Sequence, residues 1–483
     1  MAIDLINNKI LNAIIYLKEL AEQFKLLDDR FVQYSLWRLS RWWDSGLAER
    51  LYIYLINNMD SSALFDDDFK LPGWEDLSGE MILGEVIGNG TLFRFSKDAV
   101  PKHILAMGTS GSGKTNFGLV LAEQAYLNGM RSIRISDPKA DEFEVLAKKY
   151  PEFMMLRWSD LRFNLLTPPP NVPRNEWIQT ITGHMAERFK FWVGAESLTI
   201  KLMLKVSEWK SEPTITDMLR ALKGENPRFR QKDFMIMATV GSRLELMLNT
   251  LGEVITTEST MLEELSESKF ILSTSGMMSE IESWLLEFMF IWEYLYRVFN
   301  PDERELTMHF YDECQHRLFS SSKERDINRT SSSQISMLVD ESRAMNIGIC
   351  SMSQEPSSLV KPVLNNSFLK VAFHLGSGDE ISTASNAMGL SEEQKQALHY
   401  LETGEAIIRM AGGFMEPFPV KIRKFEEAVA VNDAEFWQHQ KEMKERLYRD
   451  SGVVEGDKAS QSHGDGGGHE DDEDSDWEAY DVL

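Results

Sequence analysis

The residues best suited to chemistry form a glycine-rich octet, Gly108-Thr109-Ser110-Gly111-Ser112-Gly113-Lys114-Thr115. The octet matches the pattern G-x-x-x-x-G-K-[ST] at every fixed position. Glycines let the backbone curl so that several N–H groups converge on phosphate oxygens. In this pattern Lys114 would contact the β- and γ-phosphates, and the Thr115 hydroxyl would ligate Mg²⁺. We therefore predict a nucleoside triphosphate site formed by the octet and the following Asn116.

The segments around the octet predict the strand and the helix that such a loop requires. Residues 103–107 are short and apolar, as in a buried strand, and residues 116–125 have the pattern of an amphipathic helix. The N-terminus of that helix would add partial positive charge beside the phosphates. The order of strand, loop and helix indicates a P-loop protein.

An acidic pair, Asp312-Glu313, follows the apolar strand predicted at 306–311. A nucleoside triphosphatase needs such a pair opposite its phosphate loop. Asp312 is predicted to hold Mg²⁺ through water, and Glu313 to orient and deprotonate the attacking water. Two solvated acids at an ordinary strand end are the alternative, and the upstream P-loop favours the functional interpretation.

The next predicted strand, 346–352, ends in Ser353-Gln354. Gln354 is interpreted as a sensor that contacts the γ-phosphate or the attacking water, because this strand is expected beside the acidic pair. The alternative is a glutamine in the turn before Pro356.

Asp137-Pro138-Lys139 ends a further strand, at 131–136. Open α/β sheets place their ligands at the carboxyl ends of the strands. Asp137 could support the Mg²⁺ shell, and Lys139 could contact phosphate or a neighbouring subunit. A capping role for either residue is an equal alternative.

Ring-forming nucleoside triphosphatases complete their sites with an arginine from the neighbouring subunit. Arg343 is the working candidate, with Arg409 and Arg325 as alternatives that the sequence does not separate. Arg325 belongs to a polar loop at 320–333, which could line a pore and bind DNA phosphates or could be an ordinary solvated loop.

ATP is the favoured nucleotide, because the chain has no Asn-Lys-x-Asp motif for reading guanine; the nearest run, at residues 8–11, lacks the Asp. His309, His316 and His374 have no metal-ligand spacing with another His or Cys, so we expect them to be structural. The expected cofactors are ATP and Mg²⁺.

The pattern along the chain is that of an α/β fold interrupted by a helical region. Hairpin strands are predicted around Asn89-Gly90, and a run of prolines at 168–170 ends the first α/β segment. We divide the chain as follows: an N-terminal helical segment and linker at 1–78; the first part of the ATPase core at 79–166, with the hairpin at 81–95; an α-helical insertion at 167–266; the second part of the core at 267–430; a C-terminal helix at 431–450; and a disordered acidic tail at 451–483.

The composition is that of a globular protein, with 43% hydrophobic and 10% aromatic residues among 483. The net charge of −25 argues against a surface that coats nucleic acid, so any DNA contact should be confined, for example to basic loops in a pore. The chain shows no transmembrane or signal segment, and Cys314 and Cys350 cannot build a disulfide framework. A cytoplasmic location is expected.

Taken together, these motifs resemble the HerA/FtsK superfamily of ring-forming ATPases. The resemblance rests on the P-loop, Asp137-Pro138-Lys139, Asp312-Glu313 and the run at 353–356, and extends through the segments 364–366, 401–408 and 417–420. It covers roughly residues 80–425. The likeness is to HerA-type DNA translocases, with type IV coupling proteins as near neighbours.

This resemblance implies a RecA-like core, homo-hexamers with ATP sites between subunits, and ATP-driven movement of duplex DNA through a central channel. HerA-type proteins commonly work with a nuclease or another effector in DNA processing or defence. One departure is that family members usually carry an N-terminal β-barrel, whereas this chain opens with helices. Partner docking is therefore expected to differ.

Three functions follow from the sequence. The leading one is a HerA-type ATP-hydrolysing ring motor, a DNA translocase or helicase. The alternatives are an ATP-gated hexameric scaffold that regulates an effector enzyme, which the acidic surface favours, and a soluble coupling ATPase of a conjugation or secretion system. The lack of predicted transmembrane helices argues against a membrane-anchored coupling protein.

Overall fold

Eleven strands form one continuous sheet in the part of the chain that the computed structural model describes. The described residues are 2–23, 26–27, 30–41, 44–57, 69–191, 194–224, 231–257, 260–314, 339, 341–428 and 432–453. The strands are β1 Met81–Val86, β2 Leu92–Phe95, β3 Ile104–Met107, β4 Ser132–Asp137, β5 Met154–Arg157, β6 Lys269–Ser273, β7 Thr307–Tyr311, β8 Ile347–Ser353, β9 Leu369–Ala372, β10 Glu405–Met410 and β11 Phe418–Ile422.

The spatial order of the strands is β2-β1-β11-β10-β9-β3-β8-β7-β4-β6-β5. From β9 to β5 neighbouring strands run parallel, and from β9 to β2 each pair is antiparallel. All residues of β3, β4, β7, β8 and β9 are buried, as expected for parallel strands that helices cover on both faces.

Two hydrophobic cores lie on the two faces of the sheet. Leu105 and Met107 of β3 belong to one core, whereas Ile104 and Ala106 belong to the other, because successive side chains of a strand point to opposite faces. The core around Leu105 includes the insertion helices, and the core around Ile104 includes the helix after the P-loop.

The described α-helices account for the rest of the architecture. They are α1 Ala2–Gln23, α2 Arg30–Arg41, α3 Ser45–Asn57, α4 Lys114–Leu127, α5 Glu144–Lys149, α6 Arg174–Arg188, α7 Ala195–Ser207, α8 Ile215–Lys223, α9 Gln231–Leu251, α10 Glu253–Thr256, α11 Leu262–Ser266, α12 Ser279–Phe299, α13 Lys361–Asn366, α14 Gly378–Met388, α15 Glu392–Ala397 and α16 Asp433–Asp450. Short 3-10 helices span Lys97–Lys102, Trp158–Asp160, Pro301–Glu303, Arg343–Met345 and Pro356–Ser358.

The helical parts match the predicted fold class. Helices α6 to α11 fill the chain between β5 and β6, so the α/β core is interrupted by an α-helical insertion. Helices α1 to α3 pack around a small apolar cluster of their own that includes Leu17, Leu51 and Leu55. No described helix is both long and apolar enough to cross a membrane.

The predicted hairpin is present, and it pairs with a strand that the sequence did not indicate as its neighbour. Strands β1 and β2 pair with each other, and β1 also pairs with β11, so the hairpin extends the main sheet. Strand β5, at the other end of the sheet, was not predicted. The side-chain amide of Gln440 on α16 hydrogen-bonds to the backbone there: it accepts from Met155 N at 2.7 Å and donates to Phe153 O at 3.0 Å. The polar loop at 320–333, His316 and the tail beyond Val453 lie outside the described residues.

A buried ionic network joins α12 to the sheet beside the predicted acidic pair. Glu293, fully buried on α12, forms ion pairs with Arg134 of β4 and Arg297 of α12, and its Oε2 lies 2.9 Å from Nε2 of His309 on β7. Burial alone would raise the pKa of Glu293, but Arg134, His309 and Arg297 outweigh this effect and hold the pKa far below its ordinary value. Removing this carboxylate would leave two buried guanidinium groups without their counter-charge.

We expect Glu293→Gln to lower the free energy of unfolding by about 3–5 kcal/mol, the usual loss when one partner of a buried ion pair is removed. Chemical denaturation of the full chain measures this. Glu280→Gln, at an exposed position on the same helix, is the control and should change stability by less than about 0.5 kcal/mol. Equal stability of the two variants would contradict the network's role.

Candidate functional site

The predicted site residues follow strands whose carboxyl ends lie at one edge of the sheet. The P-loop follows β3, Gln354 follows β8, and Asp312 follows β7. Strand β8 lies between β3 and β7, so Gln354 stands between the P-loop and the acidic pair. The structure therefore brings together residues that are more than 200 positions apart in sequence.

The P-loop has the curled backbone that its glycines predict. Gly111 and Gly113 have φ values of 75° and 117°, which favour glycine. The amine of Lys114, the first residue of α4, donates to Gly108 O at 2.8 Å and to Thr109 O at 2.9 Å. Ser112 Oγ donates to Thr109 O at 2.7 Å. The loop thus encloses a buried cation at a helix N-terminus, an arrangement that fits a phosphate group.

Neighbouring segments hold this loop from outside. Thr109 N donates to His374 O at 2.9 Å, just beyond β9, and Gly404 N donates to Ser112 O at 2.9 Å. A Cβ added at Gly113 would lie 3.0 Å from the backbone of Gly404. The segment before β10 therefore supports the P-loop, a role that the sequence analysis did not assign to Gly404.

Asp312 is buried and Glu313 is half-buried, and the charges of both act on the P-loop lysine. Burial, and then the nearby Glu313 and Glu142 carboxylates, raise the pKa of Asp312. Burial also lowers the pKa of Lys114, while the charges of Asp312 and Glu313 oppose that shift. Carboxylates crowded in this way favour a cation between them, which fits the Mg²⁺ that the motif implies.

Glu313 is held by contacts from two other strand ends. Its φ of 52° lies in the left-handed region, where a non-glycine residue is uncommon. Gln354 Nε2 donates to Glu313 Oε1, and Lys139 Nζ lies 3.8 Å from the same oxygen. The predicted base and the predicted sensor are therefore in direct contact.

Glu142 also lies at the site, although the sequence analysis did not select it. Its Oε2 accepts from Thr115 Oγ1 at 3.2 Å, and its Oε1 lies 2.7 Å from Lys139 Nζ. The available signal was its position five residues beyond Asp137, in the loop that leaves the same edge of the sheet.

The carboxylate of Asp137 makes the contacts expected of a cap. It is fully buried, and its carboxylate accepts from Lys139 N at 3.0 Å, Ala140 N at 3.1 Å and Phe143 N at 3.3 Å. These bonds shape the loop that carries Lys139 and Glu142.

The side chain of Asn116 bonds to the segment after β11. Its amide donates to Arg423 O at 2.9 Å and accepts from Phe425 N at 2.8 Å, which ties α4 to the segment after β11. Asn116 stays a predicted nucleotide-binding residue through its place beside Thr115, while its side chain joins two structural elements.

The two described candidate arginines are distant from the site within one chain. Arg343 is exposed before the amino end of β8, and the seven residues of that strand place it about 20 Å from the P-loop edge. Arg409 pairs with Lys370 near the start of β9, also toward the opposite edge, and donates to Met388 O. Arg325 lies outside the described residues.

Two of the histidines that the sequence singled out, His309 and His374, have structural surroundings. His309 belongs to the network around Glu293, and His374 supports the P-loop through its carbonyl oxygen. Among the residues that the structure covers, no group of three or more His, Cys, Asp or Glu side chains is arranged as a metal site.

Comparison with solved structures shows the RecA-like P-loop fold. VirB4 of Thermoanaerobacter pseudethanolicus is 15% identical, with 72% of this chain and 97% of that chain covered and a TM-score of 0.56. The plasmid coupling protein TrwB in complex with a non-hydrolysable ATP analogue is 13% identical, with 75% and 95% covered and a TM-score of 0.56. TrwB has also been solved with ADP and Mg²⁺, at 14% identity, 72% and 90% coverage and a TM-score of 0.53.

Neither a protein-family model nor a curated protein matches the sequence. At these identities the likeness is one of fold, and it confirms the predicted class: an α/β, RecA-like P-loop core with a helical insertion and an N-terminal helical segment.

We expect Gly113→Ala to weaken nucleotide binding at least tenfold, because its Cβ would press on Gly404 and its φ is unfavourable for alanine. Gly129→Ala is the control, since its φ of 76° is also positive but nothing lies within 4 Å of the added carbon. It should cost about 1–2 kcal/mol of stability and leave binding intact. Titration with a fluorescent ATP analogue measures nucleotide affinity in both variants. Equal affinities would contradict the role of the Gly404 segment in supporting the P-loop.

Proposed function

We propose that this chain is an ATP-hydrolysing ring motor of HerA type that moves duplex DNA through a central channel. The observation that carries the proposal is the meeting of the P-loop, Asp312-Glu313 and Gln354 at one edge of the sheet, with Gln354 bonded to Glu313. Residues at such an edge can bind a triphosphate and orient a water. Through the bond between Gln354 and Glu313, a change at the nucleotide can reach the neighbouring strand.

Each site residue has a role in this proposal. Lys114 binds the β- and γ-phosphates together with the N–H groups of the P-loop. Thr115 and Asp312 would hold Mg²⁺, which would neutralise part of the phosphate charge. Glu313 orients the attacking water and accepts its proton, and Gln354 holds the carboxylate of Glu313.

An arginine from an adjacent subunit would complete the site in a homo-hexamer. Arg343 remains the proposed residue, because its exposed position away from its own P-loop is compatible with action in trans. A nuclease or another effector is the proposed partner of the ring. The proposed location is the cytoplasm.

A coupling ATPase of a conjugation or secretion system is the second candidate. It shares the motor chemistry, and the fold likeness to the plasmid coupling protein TrwB favours it. Purification from native cells separates the two candidates: association with a membrane secretion complex would favour the coupling ATPase, and association with a nuclease would favour the HerA-type motor.

We expect the purified chain to form hexamers whose ATP hydrolysis rises when linear duplex DNA is added at low salt, where phosphate contacts are strongest. Lys114→Ala should abolish hydrolysis. Glu313→Gln should lower kcat by about 10²- to 10⁴-fold while ATP binding and assembly persist. Lys441→Ala, at an exposed position on α16, is the control and should keep the wild-type rate.

Steady-state hydrolysis assays, read beside the mass in solution, test this expectation. A wild-type hexamer whose rate ignores DNA would contradict the translocase and favour the ATP-gated scaffold. The scaffold would also be favoured if Glu313→Gln lost hydrolysis but still regulated an effector normally.

A further inference from the structure

The hydroxyl of Thr115 has a defined hydrogen-bond acceptor, Glu142. The Thr115 Oγ1 to Glu142 Oε2 distance is 3.2 Å. An ionised carboxylate only accepts hydrogen bonds, so the hydroxyl is the donor in this contact. With its hydrogen directed to Glu142, the oxygen of Thr115 keeps its lone pairs for a cation.

Two features hold Glu142 in place: an ion pair with Lys139 and the shape of its loop. Lys139 Nζ lies 2.7 Å from Glu142 Oε1, and the loop between the two residues is shaped by the buried Asp137. The side chain of Glu142 is only 24% exposed. Contacts within the chain thus position the carboxylate.

We propose that Glu142 is a positioning residue that orients the Thr115 hydroxyl toward the divalent cation of the bound nucleotide. The inference rests on the proposed function and adds a residue to its cation site. Groups that orient metal ligands in this way commonly change metal affinity 10- to 100-fold when they are removed.

The position of Lys139 extends this role beyond one hydrogen bond. Its amine contacts Glu142 and also lies 3.8 Å from Glu313 Oε1, where Gln354 donates. The side chains therefore form a row: Thr115, Glu142, Lys139, Glu313 and Gln354. This row connects the residue expected to hold the cation with the residue expected to activate water.

The test is the affinity of the full-length chain for fluorescent ADP, measured in excess Mg²⁺ and in excess EDTA. Glu142→Ala should weaken binding about 10- to 100-fold in Mg²⁺ and by less than twofold in EDTA. Glu142→Gln retains an acceptor oxygen, so most of the Mg²⁺-dependent affinity should return. Glu144→Ala is the matched control, because Glu144 pairs with Lys148 instead.

Two results would overturn the inference. Wild-type Mg²⁺ dependence in Glu142→Ala would show that Thr115 does not need this acceptor. Equal weakening in Mg²⁺ and in EDTA would show that Glu142 only supports the shape of the loop. If the wild-type chain binds no nucleotide under either condition, the proposed function itself fails, which separates that failure from the failure of this inference.

Discussion

The parallel register of β3 between β8 and β9 is the constraint on which the site depends. Met107 is paired with Ser353 on one side and with Ala372 on the other, so three strands end at the same level. Gly108 N donates to Ser353 O at 3.1 Å, and Phe373 N donates to Met107 O at 2.8 Å. A slip of one residue would exchange the two sets of side chains that β3 directs into the two cores. Burial on both faces therefore fixes the register, and the register keeps the P-loop, Gln354 and the acidic pair aligned.

The parts of the fold that the sequence predicted are those with strong local signals. Apolar runs ending in polar residues indicated the central strands, and the prolines at 168–170 indicated the start of the insertion. Strand β5 was missed because it is short, only two of its four residues are buried, and its place depends on pairing with β6 and on contacts with α16. The attachment of the hairpin to β11 was missed for the same reason, since that pairing joins residues more than 300 positions apart.

The site likewise combines residues that short motifs identify with residues that only the tertiary structure brings to it. Lys114, Thr115, Asp312 and Glu313 could be selected as candidates because each belongs to a short motif. Glu142 and Gly404 were not, because each reaches the P-loop only through tertiary structure. Asn116 follows the motif directly, and its side-chain amide bonds to a segment 307 residues away, a contact that sequence adjacency did not indicate.

The contact between Gln440 and β5 has a consequence for how copies of this chain can associate. The unpaired backbone at a sheet edge is a template onto which another chain's strand can add. Here one glutamine amide occupies both a donor and an acceptor of that template, at Met155 and Phe153. Edge-to-edge polymerisation through β5 would first have to displace the C-terminal helix, so a closed assembly of this chain must be built from side-chain surfaces there rather than from a shared sheet.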